Sequence, residues 1–222
     1  MARSFFSAID NLSLQDIESE ADLIPLMTTE DEEALESESL PEVVPILPLR
    51  NTVLFPGVVI PITAGRDKSI KLIKDANASD KIIGVVAQQN EGVENPGPQD
   101  IYPLGTVAQI LRVLKMPDGN TTIIIQGKKR FKVKSIVEEK PYMKAAVEPV
   151  EDQFQKKSDK EFTATIDSIK DLALQIIDEN PNIPSEASFA IKNIQTPSFL
   201  INFVASNMNV KVGEKQKILS EL

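Results

Sequence analysis

The sequence predicts an α+β fold: a β-rich pseudo-barrel of about six strands with one inserted helix, followed by a helical bundle. Three observations predict it. Val, Ile and Leu dominate residues 41–62, yet five prolines cut that run, at 41, 45, 48, 56 and 61. Proline gives a ladder no N–H, so the run reads as short, kinked strands bent around a small barrel, with Arg50 to Gly57 as a connecting loop. Asp118-Gly119 then sits between two β-rich runs, a strong hairpin signal. After Asp152 the apolar spacing becomes helical. Strands followed by helices divide the chain into a leader (1–41), a β-rich part (42–152) and a helical part (153–222).

The leader is acidic. Residues 1–42 carry 12 acids against one base, Arg3, whereas residues 43–222 carry 21 acids and 23 bases. Glu30-Asp31-Glu32-Glu33, Glu36 and Glu38 repel one another and bury little, so a mobile solvated arm is expected. The functional alternative is an arm that docks on a basic partner surface. Ile9, Leu12, Leu14 and Ile17 have the spacing of a short amphipathic helix within it.

Next come the strands. Val58–Thr63 follows the Pro56-Gly57 turn. Residues 65–76 switch to helical spacing, with Ile70, Ile73 and Ala76 expected inside and Asp67, Lys68, Lys71 and Lys74 outside. Ile82–Gln88 reads as a buried strand, and Asn90–Asp100, rich in Gly and Pro, as an exposed loop. Gly105–Met116 and Thr121–Gly127 form the hairpin arms. Phe131–Lys134 and Tyr142–Glu148 supply two further strands, and closing such a set removes exposed edges.

In the helical part, Phe162, Ile166, Ile169, Ala173, Ile176 and Ile177 mark one long amphipathic helix. A second helix runs from Ser185, a suitable N-cap, to Ile194, and a third starts at Pro197, with proline at its first position. A fourth begins at Gly213, and its pattern reaches Glu221-Leu222 with no stop signal, which predicts a longer helix continuing beyond.

The chain has no Cys and no His, which excludes the usual zinc sites, cysteine nucleophiles, Ser-His-Asp triads and disulfides. No G-x-x-x-x-G-K-[ST] loop exists, no two glycines lie two apart as G-x-G-x-x-G requires, and no G-x-S-x-G nucleophile elbow is present. Ser4–Ile9 is too short for a signal peptide, and the leader is acid-rich where a mitochondrial presequence is Arg-rich. No apolar run reaches the length of a membrane span. These residues are expected to be cytoplasmic and non-catalytic, to hold no cofactor or metal and to bind no membrane. The near-neutral body and scarce aromatics make nucleic acid an unlikely partner.

One resemblance spans nearly all of the chain outside the leader. Pro45-Ile46-Leu47-Pro48-Leu49-Arg50-Asn51-Thr52-Val53-Leu54-Phe55-Pro56-Gly57 is followed by Ile60-Pro61-Ile62 and Gly65-Arg66-Asp67-Lys68-Ser69-Ile70. Val86-Ala87-Gln88, Leu104-Gly105-Thr106-Val107-Ala108 and Leu114-Lys115-Met116-Pro117-Asp118-Gly119 continue it in order. This series resembles the N-terminal domain of the ATP-dependent Lon protease family.

The resemblance implies a domain that recognises unfolded or damaged proteins for an ATP-dependent serine protease. It implies a hexameric parent with AAA+ and Ser-Lys modules, using ATP and Mg, beyond Leu222. It also points to Asp67, Lys68 and Lys71 as substrate-binding residues. Phe55 and Met116, beside turns, are further candidates to present apolar side chains to a client. The other reading of the same resemblance is a stand-alone Lon-domain adaptor with no protease attached.

Overall fold

The computed structural model describes residues 40–116, 119–150, 160–180 and 186–221. Three sequence expectations fall outside them: the helix within the leader, the role of Asp118 and the Ser185 cap. Six strands are present among the described residues: β1 (Val43–Leu49), β2 (Val59–Ala64), β3 (Ile82–Ala87), β4 (Leu104–Lys115), β5 (Thr121–Glu138) and β6 (Lys144–Val150). The helices are α1 (Asp67–Asn77), α2 (Lys160–Glu179), α3 (Glu186–Asn193), α4 (Pro197–Asn207) and α5 (Val212–Ser220).

The sheet order is β2-β5-β4-β3-β1-β6, with β6 returning to pair with β5. That last pairing closes β1, β3, β4, β5 and β6 into a ring, and β2 flanks the ring on β5. All pairs are antiparallel except β1 with β3. The parallel pair needs a crossover, which β2 and α1 supply.

β1 is one strand rather than several kinked pieces. It ladders to β6 through residues 43–45 and to β3 through residues 46–49. Each proline therefore sits where only one side is paired, so a missing N–H is tolerated. β5 is also longer than the sequence suggests: Thr121–Gly127 and Phe131–Lys134 belong to a single strand of 18 residues. Its first half lies between β4 and β2, its second half between β4 and β6. Register shifts in both of its long ladders bend it enough to serve both sets of neighbours.

Gly127 marks the changeover. It exchanges backbone hydrogen bonds with the loop after β1, donating to the Val58 carbonyl (2.9 Å) and accepting from the Gly57 N–H (2.9 Å). A Cβ at this position would lie 2.3 Å from the Phe55 carbonyl oxygen. Thr106 Oγ1 donates to the Leu54 carbonyl at 2.6 Å and pins the same loop. The loop thus turns inward and buries Val53, Leu54, Phe55 and Val58.

All five ring strands contribute to one apolar cluster, containing Val44, Ile46, Val86, Val107, Phe131, Ala145 and Val147, which fills the barrel. Phe131 is its largest member and is fully buried. Gly84 and Gly105 make room for it: a Cβ on either would come within 3.0 Å of the Phe131 ring. A second, larger cluster lies outside the ring and joins the loop, β2, α1 and the helical part.

The helical part is locked to the barrel by polar contacts. Neighbouring side chains alternate along β5, so Phe131 points in and Arg130 points out. Buried Arg130 donates to the Leu219 carbonyl (3.0 Å) and to Asn202 Oδ1 (3.0 Å). Gln216 Nε2 donates to the Leu104 carbonyl at 2.9 Å. Lys215 Nζ, also buried, donates to the Ser206 carbonyl and joins α5 to α4.

α2 is packed more loosely. Ile166, Ile169, Ala173 and Ile177 lean on the core, but no residue of α2 is fully buried, and Ile176, expected inside, is 60% exposed. Lys170 Nζ caps α3 by donating to the Lys192 (3.0 Å) and Ile194 (3.4 Å) carbonyls. α5 ends at Ser220, with Glu221 extended (φ −76°, ψ 128°).

Two predictions follow from this packing. Gly105→Ala places its methyl 2.3 Å from the Val85 carbonyl oxygen and against Phe131, and is expected to cost about 1–3 kcal/mol in urea unfolding. Burial also lowers the pKa of Lys215, so between its folded and unfolded values the unfolded chain binds more protons and stability rises with pH. Lys215→Met removes that rise. Its stability relative to the parent chain should therefore fall as pH climbs from 7 towards lysine's ordinary value of about 10.4, measured by denaturation at each pH.

Candidate functional site

One concavity among the described residues is a cleft of about 220 Å³ beside the start of α1. Its floor is apolar, made by Ile46, Leu72, Tyr142 and Met143. Each floor residue is itself buried, so only a little of that apolar surface is open to the cleft. One wall is the first turn of α1, the facing wall is Asn95–Pro98, and Glu139 stands at the far rim.

α1 forms where its buried positions recur at helical spacing: Ser69, Leu72, Ile73 and Ala76. Ile70, expected inside, is only partly covered, and Leu72 takes that place. The helix is tied to the barrel by Tyr142, whose hydroxyl donates to Asp75 Oδ2 at 3.1 Å. Burial, and then that carboxylate, raise the Tyr142 pKa, so the phenol stays a donor. Lys144 sits 5.9 Å from the Tyr142 ring centroid and pairs with Glu138 at 2.9 Å, bracing the same corner.

Both walls of the cleft depend on Gln88, at the end of β3 and 1% exposed. Its Oε1 accepts from Arg66 at 2.7 Å, just before α1. Its Nε2 donates to the Val93 (2.9 Å) and Asn90 (3.3 Å) carbonyls in the facing loop. Gly97 N–H donates to Asp100 Oδ2 (2.8 Å), and Gln89 Nε2 to the Ile101 carbonyl (2.8 Å), which fastens the loop further. The walls are therefore set before anything binds, which lowers the ordering cost of binding.

The electrostatics at the α1 end favour an anion. Burial lowers the Arg66 pKa, as does the neighbouring Arg50 charge, with Glu94 opposing. The Arg50 charge therefore disfavours that of Arg66, and a carboxylate such as Glu94 offsets it. Lys68 adds to the same rim.

The residues singled out by sequence separate here. Lys68 lines the cleft. Asp67 and Lys71 are exposed on α1 outside it, with Lys71 3.8 Å from Asp75. Met116 is half-buried at the β4–β5 hairpin, where its N–H donates to the Asn120 carbonyl (2.9 Å), and it does not line the cleft. Phe55 is a correction. Its exposure is 0%, because the loop that carries it is drawn inward by Gly127 and Thr106, so its ring packs the core and cannot reach a client.

Sequence reasoning missed Gln88, Tyr142 and Arg66 as site-builders. Gln88 carried one signal, a polar residue ending an otherwise apolar strand; Tyr142 carried none. The described residues hold no cluster of His, Cys, Asp or Glu suited to a metal, and no helix long and apolar enough to cross a membrane.

Comparison with known proteins agrees with this architecture. The family model for the ATP-dependent protease La (LON) substrate-binding domain matches residues 43–222. The Lon protease of Flavobacterium johnsoniae is 66% identical over 212 residues, which are 96% of this chain and 26% of that protein. The Lon protease of Cytophaga hutchinsonii is 51% identical over 198 residues, 89% of this chain and 24% of that protein. This chain thus spans about a quarter of the length of these relatives. Among solved structures, the N-terminal domain of the Mycobacterium avium complex Lon protease superposes with a TM-score of 0.65 at 21% identity, covering 81% of this chain and 90% of that one. The Lon N-terminal domain protein from Xanthomonas campestris gives 0.56 at 17% identity, again covering 81% and 90%.

Tyr142→Phe keeps the apolar floor and removes only the bond to Asp75. Because Asp75 stays solvent-accessible, the expected loss of stability is about 1 kcal/mol. Hydrogen exchange should speed up in α1 and leave the amides of β3 and β4 unchanged.

Proposed function

This chain belongs to the LON substrate-binding domain family, and from that premise we propose that it holds unfolded or damaged polypeptide for an ATP-dependent serine protease. The observation that carries the reading is the prebuilt cleft, apolar below and charged at its rim. An extended client segment offers side chains for the floor, and its charged neighbours meet Arg66, Lys68 and Glu139. Such a small site discriminates weakly between sequences, which suits a receptor for many clients.

Weak sites gain strength in numbers. In a hexamer, several copies held in one ring would raise the overall affinity without any new contact. The whole protein, in this reading, is a cytoplasmic hexamer whose AAA+ module uses ATP and Mg and whose Ser-Lys module cleaves the client. Asp67 and Lys71 extend the binding surface from the cleft along α1. Met116 lies nearby, because Asn120 of its hairpin approaches Gly65, directly before Arg66.

The test is binding of a reduced, denatured protein to the chain, followed by fluorescence anisotropy. Reversing the charges of Asp67, Lys68 and Lys71 together is expected to weaken binding by roughly tenfold at low salt, mainly through a slower on-rate. An unchanged affinity removes this face of α1 from the site.

A further inference from the structure

We propose that residues 111–115 of β4 form an open strand edge that takes an extended client segment as an added strand, through main-chain hydrogen bonds to Val113 and Lys115. The choice of occupant rests on the reading of this chain as a receptor for unfolded polypeptide, to which it adds a surface separate from the cleft.

The edge follows from the ladders. β3 accompanies β4 only as far as the Ile82–Gln109 pair, and the Lys81 carbonyl takes the Ile110 N–H at 2.8 Å as β4 runs on. On its other side β4 stays paired with β5 as far as Lys115 and Thr121. From Leu111 onward β4 is therefore laddered on one side only.

Alternation in an antiparallel pair fixes which groups face the open side. Met116 N–H donates to the Asn120 carbonyl (2.9 Å), so that pair is bonded. Along the register from there, Lys115–Thr121 is unbonded, Leu114–Thr122 is bonded and Val113–Ile123 is unbonded. Pro61, on the far side of β5, agrees with this phase. It has no N–H and faces Ile124, which puts Ile123 and Thr121 in bonded pairs with Ile62 and Ala64 of β2, turned away from β4. The N–H and C=O of Val113 and Lys115 thus point to the open side, and among the described residues no partner meets them.

This edge is also accessible. None of residues 111–115 is buried, and Leu111 is 48% exposed. Leu111 is the extra residue at the register shift between Ile110 and Arg112, so an apolar side chain stands beside the open backbone.

A single extended polypeptide fits it. Every residue of an unfolded chain except proline carries one main-chain donor and one acceptor, so an added strand is held without regard to sequence. Four main-chain groups give weak binding, in keeping with a receptor for many clients. A second copy of the chain fits less well. Five residues of edge bury far less than the roughly 1,200 Å² of a stable interface. The bulge at Leu111 and the exposed Lys115 also resist flat sheet-to-sheet pairing.

The experiment follows amide hydrogen exchange by NMR in the whole chain, with and without a reduced, denatured protein as client. Without client, the Val113 and Lys115 amides should exchange quickly and the Leu114 amide, bonded to β5, slowly. Saturating client is expected to slow Val113 and Lys115 by roughly tenfold or more and to leave Leu114 unchanged. Val113→Pro removes one donor from the open edge and none from the β4–β5 ladder, the position Pro61 occupies in β2. Against Val113→Ala, which loses similar packing but keeps the N–H, it should bind client roughly fivefold more weakly.

Client that binds without slowing these two amides overturns the proposal and leaves the cleft as the client site. Equal binding by the Val113→Pro and Val113→Ala chains overturns it too; should Val113→Pro fail to fold, exchange in the native chain decides. A client that does not bind at all sinks the receptor reading together with its edge. If the two amides slow as the chain is concentrated without client, and sedimentation shows it growing in size, the edge pairs with a second copy and the proposal is overturned.

Discussion

Closure of the barrel by β5 is the constraint on which the rest of this molecule depends. One strand ladders to β2, β4 and β6, and without its second half the ring of β1, β3, β4, β5 and β6 would stay open. Its alternation then divides the labour. Phe131 fills the barrel, and Arg130, one residue earlier, reaches out to the backbone of α5 and the side chain of Asn202 on α4. A small barrel can hold a phenyl ring only if its walls step back, which is why Gly84 and Gly105 flank it. The lumen, the ring and the seat of the helical part are thus consequences of one strand.

The cleft inherits its shape from that frame. β1 and the segment between β5 and β6 bring Ile46, Tyr142 and Met143 together, and α1 lies across them. Gln88 then spans two walls with one buried amide, accepting from Arg66 and donating to the facing loop. A buried amide left unpaired is costly, so such a fully used one fixes the spacing of the walls. The same burial that fixes Arg66 also penalises its charge.

Packing is uneven between the two halves. One dense apolar cluster fills the barrel and a second joins its outer face to the helical part, while α2 contributes only partly covered side chains and leaves Leu172 and Ile176 largely exposed. Fewer buried contacts mean a lower free energy of local opening. The cleft belongs to the well-packed side, where its geometry is held, and the α2 side has the greater freedom to adjust.

Much of the architecture was legible in the residues alone. Prolines within a β-rich run, the hairpin signal at Asp118-Gly119 and the change to helical spacing after Asp152 established the α+β order and nearly every element, because these are local preferences of the backbone. The order of motifs from Pro45 to Gly119 pointed to the family as well. Exposure was a different matter. Phe55 beside a turn looks like a surface residue until Gly127 and Thr106 draw its loop inward, and Ile176 looks buried until α2 is seen to be covered on one flank only. The fusion of two predicted strands into β5, and the meeting of Gln88, Arg66, Lys68 and Tyr142 around one cleft, join positions far apart in the chain. Periodicity reports which side of an element is apolar. Only the tertiary structure decides what that side meets, since burial is set by neighbours that local sequence does not contain.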